Sequence, residues 1–415
     1  MILTQYYAPE IGGPQTRLAA MAAELKALGH DVEIVTGLPN YPRGEFFSGY
    51  SPKLYSKDVV DGVTVHRVWL YPAMGGGVKR MLNYLTFTFT SLIGMARAAK
   101  PDYIFVESPP LFLSVPGFFI AQLRGARTIF SVADLWPDAI AEGGFISKGF
   151  AFRLMERLEQ WSYRRANYVN AVTDGIRETL RGAKCVPPEK ILFLPNGVDT
   201  GRFAPRSEDS ELRIRLGLSG KRIILWAGTL GFAHGIENIL EAAKLLESTP
   251  EVHFLFVGDG SAKKQLQARA VEIELANVTF LEPVPNRELP GYFSIATAGL
   301  ASLADIPLHT GARPSKIFPV MASGKPLVFV GRGEAARLVT ESGAGIAIPP
   351  NNPQALASAI VHIATDPAFA STCGANGRRY VQENLQWPQL ISNWLQHLDA
   401  PRTVNCRGET QTAKA

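Results

Sequence analysis

Short apolar runs alternate along this chain with stretches of helical periodicity, and the alternation runs through two successive series. Residues 1–4 are apolar and lead into a loop over 6–15 that holds prolines and glycines. Residues 16–28 then place Leu18, Met21, Ala22, Leu25 and Leu28 at helical spacing. Gly29 is placed to end that helix, and residues 31–36 read as the next strand. Strand, helix, strand in this order is a βαβ unit, the start of a parallel sheet. Further strands are predicted over 63–68, 102–106, 127–132 and 168–173, with helices over 150–166 and up to Gly182. Residues 191–199 close the first series, and the charged, proline-containing residues 200–211 mark the best domain boundary.

The second series predicts strands over 223–228, 253–258, 278–281 and 299–303. Helices are predicted over 236–246, up to Ala270, and over 286–293. Residues 312–328 then run from a polar loop through a short apolar helix to Gly324 and a further apolar run. Pro314 is placed to open that helix, where its missing N–H costs nothing. Ile317, Val320 and Met321 fall on one helical face. Helices over 351–363 and 387–398 follow, and the polar tail from Pro401 is expected to be disordered. The fold class this predicts is α/β, with two doubly wound parallel-sheet halves.

At 415 residues, 46% hydrophobic and 19% charged, the chain has ample core for two domains. Its net charge of +5 is too small and too scattered to call for a nucleic acid partner. It suits an anionic small molecule or an anionic membrane surface. Three cysteines, Cys185, Cys373 and Cys406, show no paired or metal-like spacing, which points to a reducing cytoplasm. The chain starts without a leader pattern, and its short first strand suggests that a few upstream residues are missing. The run over 78–100 is unusual. Lys79 and Arg80 precede it, aromatic and apolar residues fill it, and Arg97 and Lys100 follow. It is too short to span a bilayer and reads either as a core helix or as an interfacial one on an anionic membrane surface.

Several chemistries are excluded by their missing motifs. Neither half carries G-x-G-x-x-G after its first strand with an acidic partner, and there is no P-loop, zinc-type cluster or G-x-S-x-G. What remains is a set of candidates for anion binding. Arg313 and Lys316 stand at the start of the helix near 314, where free N–H groups and the macrodipole favour an anion. Gly12 and Gly13 permit close approach of backbone to a ligand. Asp134 and Asp138 follow a parallel strand at its carboxyl end, where open α/β sheets bind ligands.

Taken together and in order, a series of short segments resembles the retaining GT-B glycosyltransferases, within them glycosyltransferase family 4 (group 1). The segments are Pro9-Glu-Ile-Gly-Gly13, Asp134-Leu-Trp-Pro137, Pro195-Asn-Gly-Val-Asp199, Ala227-Gly-Thr-Leu-Gly231, Val257-Gly-Asp-Gly260, Pro314-Ser-Lys and Met321-Ala-Ser-Gly-Lys-Pro326. The nearest group resembles the L-fucosamine transferase-like enzymes of bacterial surface-polysaccharide synthesis. The resemblance implies an acceptor-side Rossmann-like domain over 1–198 and a domain for a nucleotide-diphosphate sugar over 199–385. A helix over 386–400 would pack back on the first domain. It implies a lipid-linked or saccharide acceptor, UDP as the expected nucleotide, and neither a metal nor a resident cofactor.

On that resemblance, Lys316 and then Arg313 would meet the charge that develops on the leaving diphosphate. Asp134, or Asp138, would orient a hydroxyl. The donor would lie against Gly12, Gly13, Gly228, Thr229, Gly231, His234 and Ser315. Gly258, Asp259, Gly260 and Pro283 would frame its base, and Glu334 would cap a helix near its sugar. The chain also departs from the family. An E-x7-E motif would fall on Gly311 and Pro319, so the glutamate that usually holds the ribose is missing. Thr229 and His234 stand where arginine and lysine often grip the diphosphate, and Ala133 stands where many members have histidine. Two other functions fit the architecture: a nucleotide-sugar epimerase, and a non-catalytic sugar-nucleotide-binding assembly protein.

Overall fold

The computed structural model describes residues 1–10, 12–41, 43–73, 77–142 and 149–399. The tail expected to be disordered from residue 401, and the last position of the helix expected over 386–400, lie outside these. The first half forms an eight-stranded sheet from β1 (Ile2–Leu3), β2 (Glu33–Gly37), β3 (Tyr55–Val60), β4 (Val63–Val68), β5 (Tyr103–Ser108), β6 (Arg127–Val132), β7 (Tyr168–Ala171) and β8 (Ile191–Phe193). The strand order is β3-β4-β2-β1-β5-β6-β7-β8. Every pairing is parallel except that of β3 with β4. The helices of this half are α1 (Gly13–Ala27), α2 (Gly77–Arg97), α3 (Ser114–Arg124), α4 (Asp138–Glu142), α5 (Phe150–Arg165) and α6 (Asp174–Arg181). Residues of α2, α3 and α5 cover one face of the sheet, packing Phe87, Phe118 and Met155 into one core with Val35, Val106 and Phe130. Helix α1 covers the other face through Leu18, Met21 and Ala22.

After α7 (Ser210–Arg215) the second half forms a six-stranded sheet, parallel throughout. Its strands are β9 (Arg222–Ala227), β10 (Val252–Val257), β11 (Val278–Leu281), β12 (Ala296–Ser302), β13 (Leu327–Val330) and β14 (Gly345–Ile348), in the order β11-β10-β9-β12-β13-β14. The connecting helices are α8 (Glu237–Leu245), α9 (Lys263–Glu272), α10 (Leu289–Ile295), α11 (Ile317–Ala322), α12 (Gly333–Glu341), α13 (Pro353–Thr365) and α14 (Pro367–Asn384). The central strands are buried on both faces, which is why Ile223–Trp226 and Phe254–Val257 read as unbroken apolar runs. The last helix, α15 (Trp387–Asp399), lies on the first sheet. Trp387, Ile391, Trp394 and Leu398 pack there with Ile2, Leu18 and Tyr168. Trp394 Nε1 donates to Asn170 Oδ1 at 3.0 Å. Where the chain passes between the sheets, the Val198 amide donates to the Leu385 carbonyl at 2.9 Å. A Cβ on Gly197 would lie 2.8 Å from the Trp387 ring, so only glycine fits there.

Two helix starts differ from the sequence expectation. Helix α1 begins at Gly13 rather than near residue 16, because Pro14 sits in its first turn and the Thr16 amide already donates to Gly12 at 3.1 Å. The helix expected to open at Pro314 begins at Ile317. Its lead-in is a tighter turn, with Ile317 donating to Pro314 at 3.2 Å and Phe318 to Ser315 at 3.3 Å. Among the described residues no helix is long and apolar enough to cross a membrane. The run over 78–100 is α2, whose inner face is core and whose outer face is exposed.

Candidate functional site

The two sheets face one another across a cleft of about 2210 Å³. A single-ligand pocket occupies roughly 300–1,000 Å³, so this cleft has room for two substrates. On the first domain its wall includes the start of α1, Asp134 after β6 and the start of α6. On the second it includes the turns after β9 and β10, the 3-10 turn Pro307–Gly311, the segment from Arg313 to Lys316, and Glu334.

Lys316 reaches back from the start of α11 to the end of β9. Its ammonium lies 3.8 Å from the Trp226 ring centre, 3.1 Å from His234 Nε2 and 3.4 Å from the Thr229 carbonyl. His234 Nδ1 lies 3.2 Å from the Ser302 carbonyl, which can only accept. The ring therefore carries its proton on Nδ1, and Nε2 accepts from Lys316. Burial, followed by the lysine's charge, pushes His234 down to about 3, so the ring is neutral at any ordinary pH. Burial also holds the Lys316 ammonium well below the usual lysine value. Lys316 is thus a desolvated amine fixed by an aromatic face and a neutral imidazole, placed to take up charge when an anion binds beside it. Across the cleft is Gly13, where a Cβ would come within 3.5 Å of Ser315 Oγ. The helix expected to supply N–H groups to an anion here has only six residues and starts after Lys316. The charge at this point is therefore the side chain's own.

Arg313 and Glu334 are placed differently from the expectation. Arg313 Nε donates to Glu334 at 2.7 Å, and both side chains are 8% exposed. The Glu334 carboxylate also accepts from the amides of Asp174 at 3.1 Å and Gly175 at 2.7 Å. These are the first amides of α6, which belongs to the other domain. Thr173 caps the third, accepting from Ile176, and its hydroxyl donates to the Gly311 carbonyl at 2.7 Å. Glu334 is therefore engaged as a clasp between the domains, while lying in the cleft wall. Arg313 Nη2, 3.9 Å from Asp174, makes no hydrogen bond among the described residues.

Asp134 lines the cleft, and burial raises its carboxyl to about 6 against the opposing pull of Arg17 and His309. Asp138 does not reach the described cleft wall. It opens α4 and pairs with Lys184 at 2.7 Å, and Lys184 also holds Glu159 at 2.8 Å. Arg17 and His309 beside Asp134, and Glu10 elsewhere in the cleft wall, escaped the sequence reading. Arg17, on α1, is paired with the buried Glu107, and its Nη1 has no hydrogen-bond partner among the described residues. His309 comes from the second domain on the 3-10 turn, which packs against both α4 and α6. Its Nδ1 is 2.9 Å from the Ala304 carbonyl, which holds a proton on Nδ1. Glu10 also lines the cleft. Burial lifts it to about 7, opposed by the amides of Tyr41 and Asn40 that donate to it at 2.8 and 2.7 Å.

Of the expected donor residues, Gly12, Gly13, Gly228, Thr229, His234, Gly258, Asp259, Pro283, Ser315 and Glu334 line the cleft, with Lys316, Arg313 and Asp134. Gly231 and Gly260 are not among its lining residues. Gly260, at φ +159°, lies against the Leu230 carbonyl, which a Cβ would meet at 2.3 Å. Its glycine is required by that backbone contact. Gly231 caps the 3-10 turn Phe232–His234 and so helps place His234.

Comparison with known proteins agrees with this two-walled arrangement. Residues 12–197 match the glycosyl transferase 4-like domain, and residues 208–380 match the glycosyl transferases group 1 model. The chain is 29% identical over 369 residues to the putative colanic acid biosynthesis glycosyl transferase WcaI of Escherichia coli, covering 85% of this chain and 89% of that one. Among solved structures it is similar to sucrose-phosphate synthase from Thermosynechococcus elongatus, with TM-score 0.75 and 19% identity over 95% of this chain and 96% of that one. It is also similar to Anabaena HepE in complex with UDP-glucose, with TM-score 0.70 and 17% identity over 96% and 99% of the two chains. One matched model lies on each side of the cleft, and the chain accordingly belongs to the family 4 (group 1) glycosyltransferases of GT-B fold.

Proposed function

We propose that this enzyme moves a sugar from a UDP-linked donor to a lipid-linked or saccharide acceptor in cell-surface polysaccharide synthesis, with retention of configuration. The observation that carries the donor side is the enclosed Lys316 amine, fixed by Trp226 and His234 at the end of β9 in the cleft wall, beside Ser315, which faces Gly13 from the other domain. Glycosyl transfer builds negative charge on the leaving diphosphate; the bound diphosphate draws the buried Lys316 amine back to its charged form, and a preorganised donor in a desolvated site then meets that charge. The Arg313 guanidinium in the same wall and the amides near Gly12 and Gly13 add to it. Retention suits this site, because the leaving phosphate can take the acceptor's proton. Asp134, with Arg17 and His309 beside it, then orients the hydroxyl that attacks. The name of WcaI supports the polysaccharide context, and the UDP-glucose bound by HepE supports the choice of nucleotide.

Thermal shift with UDP-, GDP-, dTDP- and ADP-sugars tests the donor, since a ligand of the native state raises apparent stability by mass action. Stabilisation by UDP-sugars above the others is expected. Stabilisation by a different nucleotide overturns the UDP assignment. Incubation with donor alone separates transfer from epimerisation, because only an epimerase returns an altered nucleotide sugar without acceptor.

A further inference from the structure

The first domain carries a broad exposed apolar face with an uneven charge. Helices α2, α3 and α5 cover the same face of the eight-stranded sheet, with α3 packed between the other two. Their inner sides are core. Their outer sides carry large apolar residues at helical spacing. On α3 these are Val115, Phe119 and Leu123, four residues apart, with Phe119 55% and Leu123 66% exposed. On α5 they are Leu154 and Trp161, and on α2 they are Leu82 and Phe89, the last 69% exposed. Isolated exposed apolar residues need no explanation, but stripes on three adjacent helices form a contiguous patch.

The charge on the same helices selects the partner. Helices α2 and α3 contain no aspartate or glutamate. Helix α5 has two glutamates, of which Glu159 is buried and held by Lys184. Against these stand the exposed Lys79 on α2 and Arg153, Arg157 and Arg164 on α5, while Arg124 of α3 holds the carbonyls of Ala96, Ala98 and Ala99 and Arg97 of α2 lies over the Tyr55 ring. The whole chain has a net charge of only +5, so its cationic excess is concentrated here. Apolar and aromatic side chains flanked by arginine and lysine, on helices lying flat against a domain, match the headgroup boundary of an anionic bilayer.

We infer that the α2–α3–α5 face docks the enzyme on an anionic lipid surface. The face is linked to the cleft. Arg80 of α2 lies over the rings of Tyr84 and Tyr6, and Tyr6 meets Tyr41 edge-on at 5.6 Å. Tyr41 is part of the cleft wall. A lipid-linked acceptor held in the docked bilayer would thus rise beside this aromatic chain towards Asp134. That consequence rests on the transferase reading, whereas the docking itself does not.

The test is co-sedimentation with vesicles of phosphatidylcholine containing phosphatidylglycerol, against vesicles of phosphatidylcholine alone. The full-length protein is compared with Phe119→Asp/Leu123→Asp and with Arg153→Gln/Arg157→Gln. The wild type is expected to bind the anionic vesicles at low salt, and each double variant to lose at least about tenfold in partitioning. Because the altered side chains are exposed, UDP-sugar thermal shifts of the variants should equal the wild type's. That control separates a failed face from a failed donor site. No binding of wild type to anionic vesicles, or equal binding by the variants, overturns the inference. So does a dimer in light scattering that Phe119→Asp/Leu123→Asp dissolves, if vesicle binding is absent, since the face would then seat a second copy.

Discussion

Replacing Lys316 by methionine should lower activity sharply while altering the pH dependence of stability in a defined direction. Methionine keeps the length and apolar stem of the side chain but removes the ammonium. In the folded protein burial holds the Lys316 ammonium below its ordinary value of 10.5. At any pH between the lowered value and 10.5, the unfolded chain carries a proton that the folded chain lacks. Stability therefore rises with pH across that window, by at most about 1.4 kcal/mol per pH unit. The variant lacks this slope. Subtracting its stability from the wild type's should leave a difference that climbs as pH rises. Two terms, both destabilising the variant, set the offset. The variant loses the contact with the Trp226 face, about 0.5–2 kcal/mol when the lysine is charged. It also leaves His234 Nε2 without a donor, about 1–3 kcal/mol.

Denaturant unfolding of both proteins, from about neutral pH to about pH 10, measures the difference. Turnover at saturating donor should fall about a hundredfold, near 3 kcal/mol, as for loss of one preorganised transition-state donor. The reasoning fails if the stability difference is flat with pH, because the ammonium would then be solvated. It fails equally if turnover is unchanged.

The clasp between the domains makes a second prediction. Glu334→Ala strands the amides of Asp174 and Gly175 and leaves the buried Arg313 unpaired, at a cost of about 3–5 kcal/mol. Adding Arg313→Ala should recover part of it, with a coupling of about 1–3 kcal/mol in the double-mutant cycle; strictly additive costs would show that the two side chains act separately. Asp134→Asn makes a third. Its folded carboxyl is raised from 3.8 to about 6, so between those values the folded chain holds a proton that the unfolded chain has released. The stability this gives is complete below pH 3.8 and is lost as pH rises through about 6, a change of up to about 3 kcal/mol that the asparagine variant should not show. The wild-type rate should also rise with pH through about 6, and persistence of that limb in Asp134→Asn would assign it to another group.

Pattern reading reached the parallel sheets because their central strands are apolar on both faces. It missed the edges for the same reason. Strand β3, Tyr55-Ser-Lys-Asp-Val-Val60, is half solvated and polar, and β14 is a four-residue edge beginning at Gly345. Helix α14 escaped because its sequence, with three alanines, two glycines and two asparagines, has little apolar periodicity. Lys316 was legible because a Pro-Ser-Lys turn before an apolar helix is a local signal. The partner of Glu334 was not, because the amides it holds lie about 160 residues away in sequence. Arg17 was hidden inside an ordinary helical run. Its significance depends on Glu107 and Asp134, which two separate strands bring beside it.

The departures from the family pattern become consistent with one another in three dimensions. A side chain at position 311 would be crowded in this arrangement, since its Cβ would lie 3.1 Å from the Gly175 Cα. The Gly311 Cα packs against Gly175, where a Cβ on Gly175 would come within 2.3 Å of it, and the Gly311 carbonyl takes the Thr173 hydroxyl. The carboxylate at that junction comes instead from Glu334, which binds Arg313 and the start of α6 together. Where the family often has a second cation, His234 is neutral and spends its free lone pair on Lys316. One enclosed lysine with a fixed acceptor beside it then occupies the region where two exposed cations would otherwise stand. The missing histidine at Ala133 has a comparable counterpart in His309, which the second domain brings next to Asp134 on a turn packed against α4 and α6. Because Glu334 and His309 both come from the second domain to meet the first, the site is complete only when the domains are together. Mutations at the Gly175–Gly311 contact should therefore lower turnover through the geometry of closure rather than through the affinity of either lobe for its own substrate.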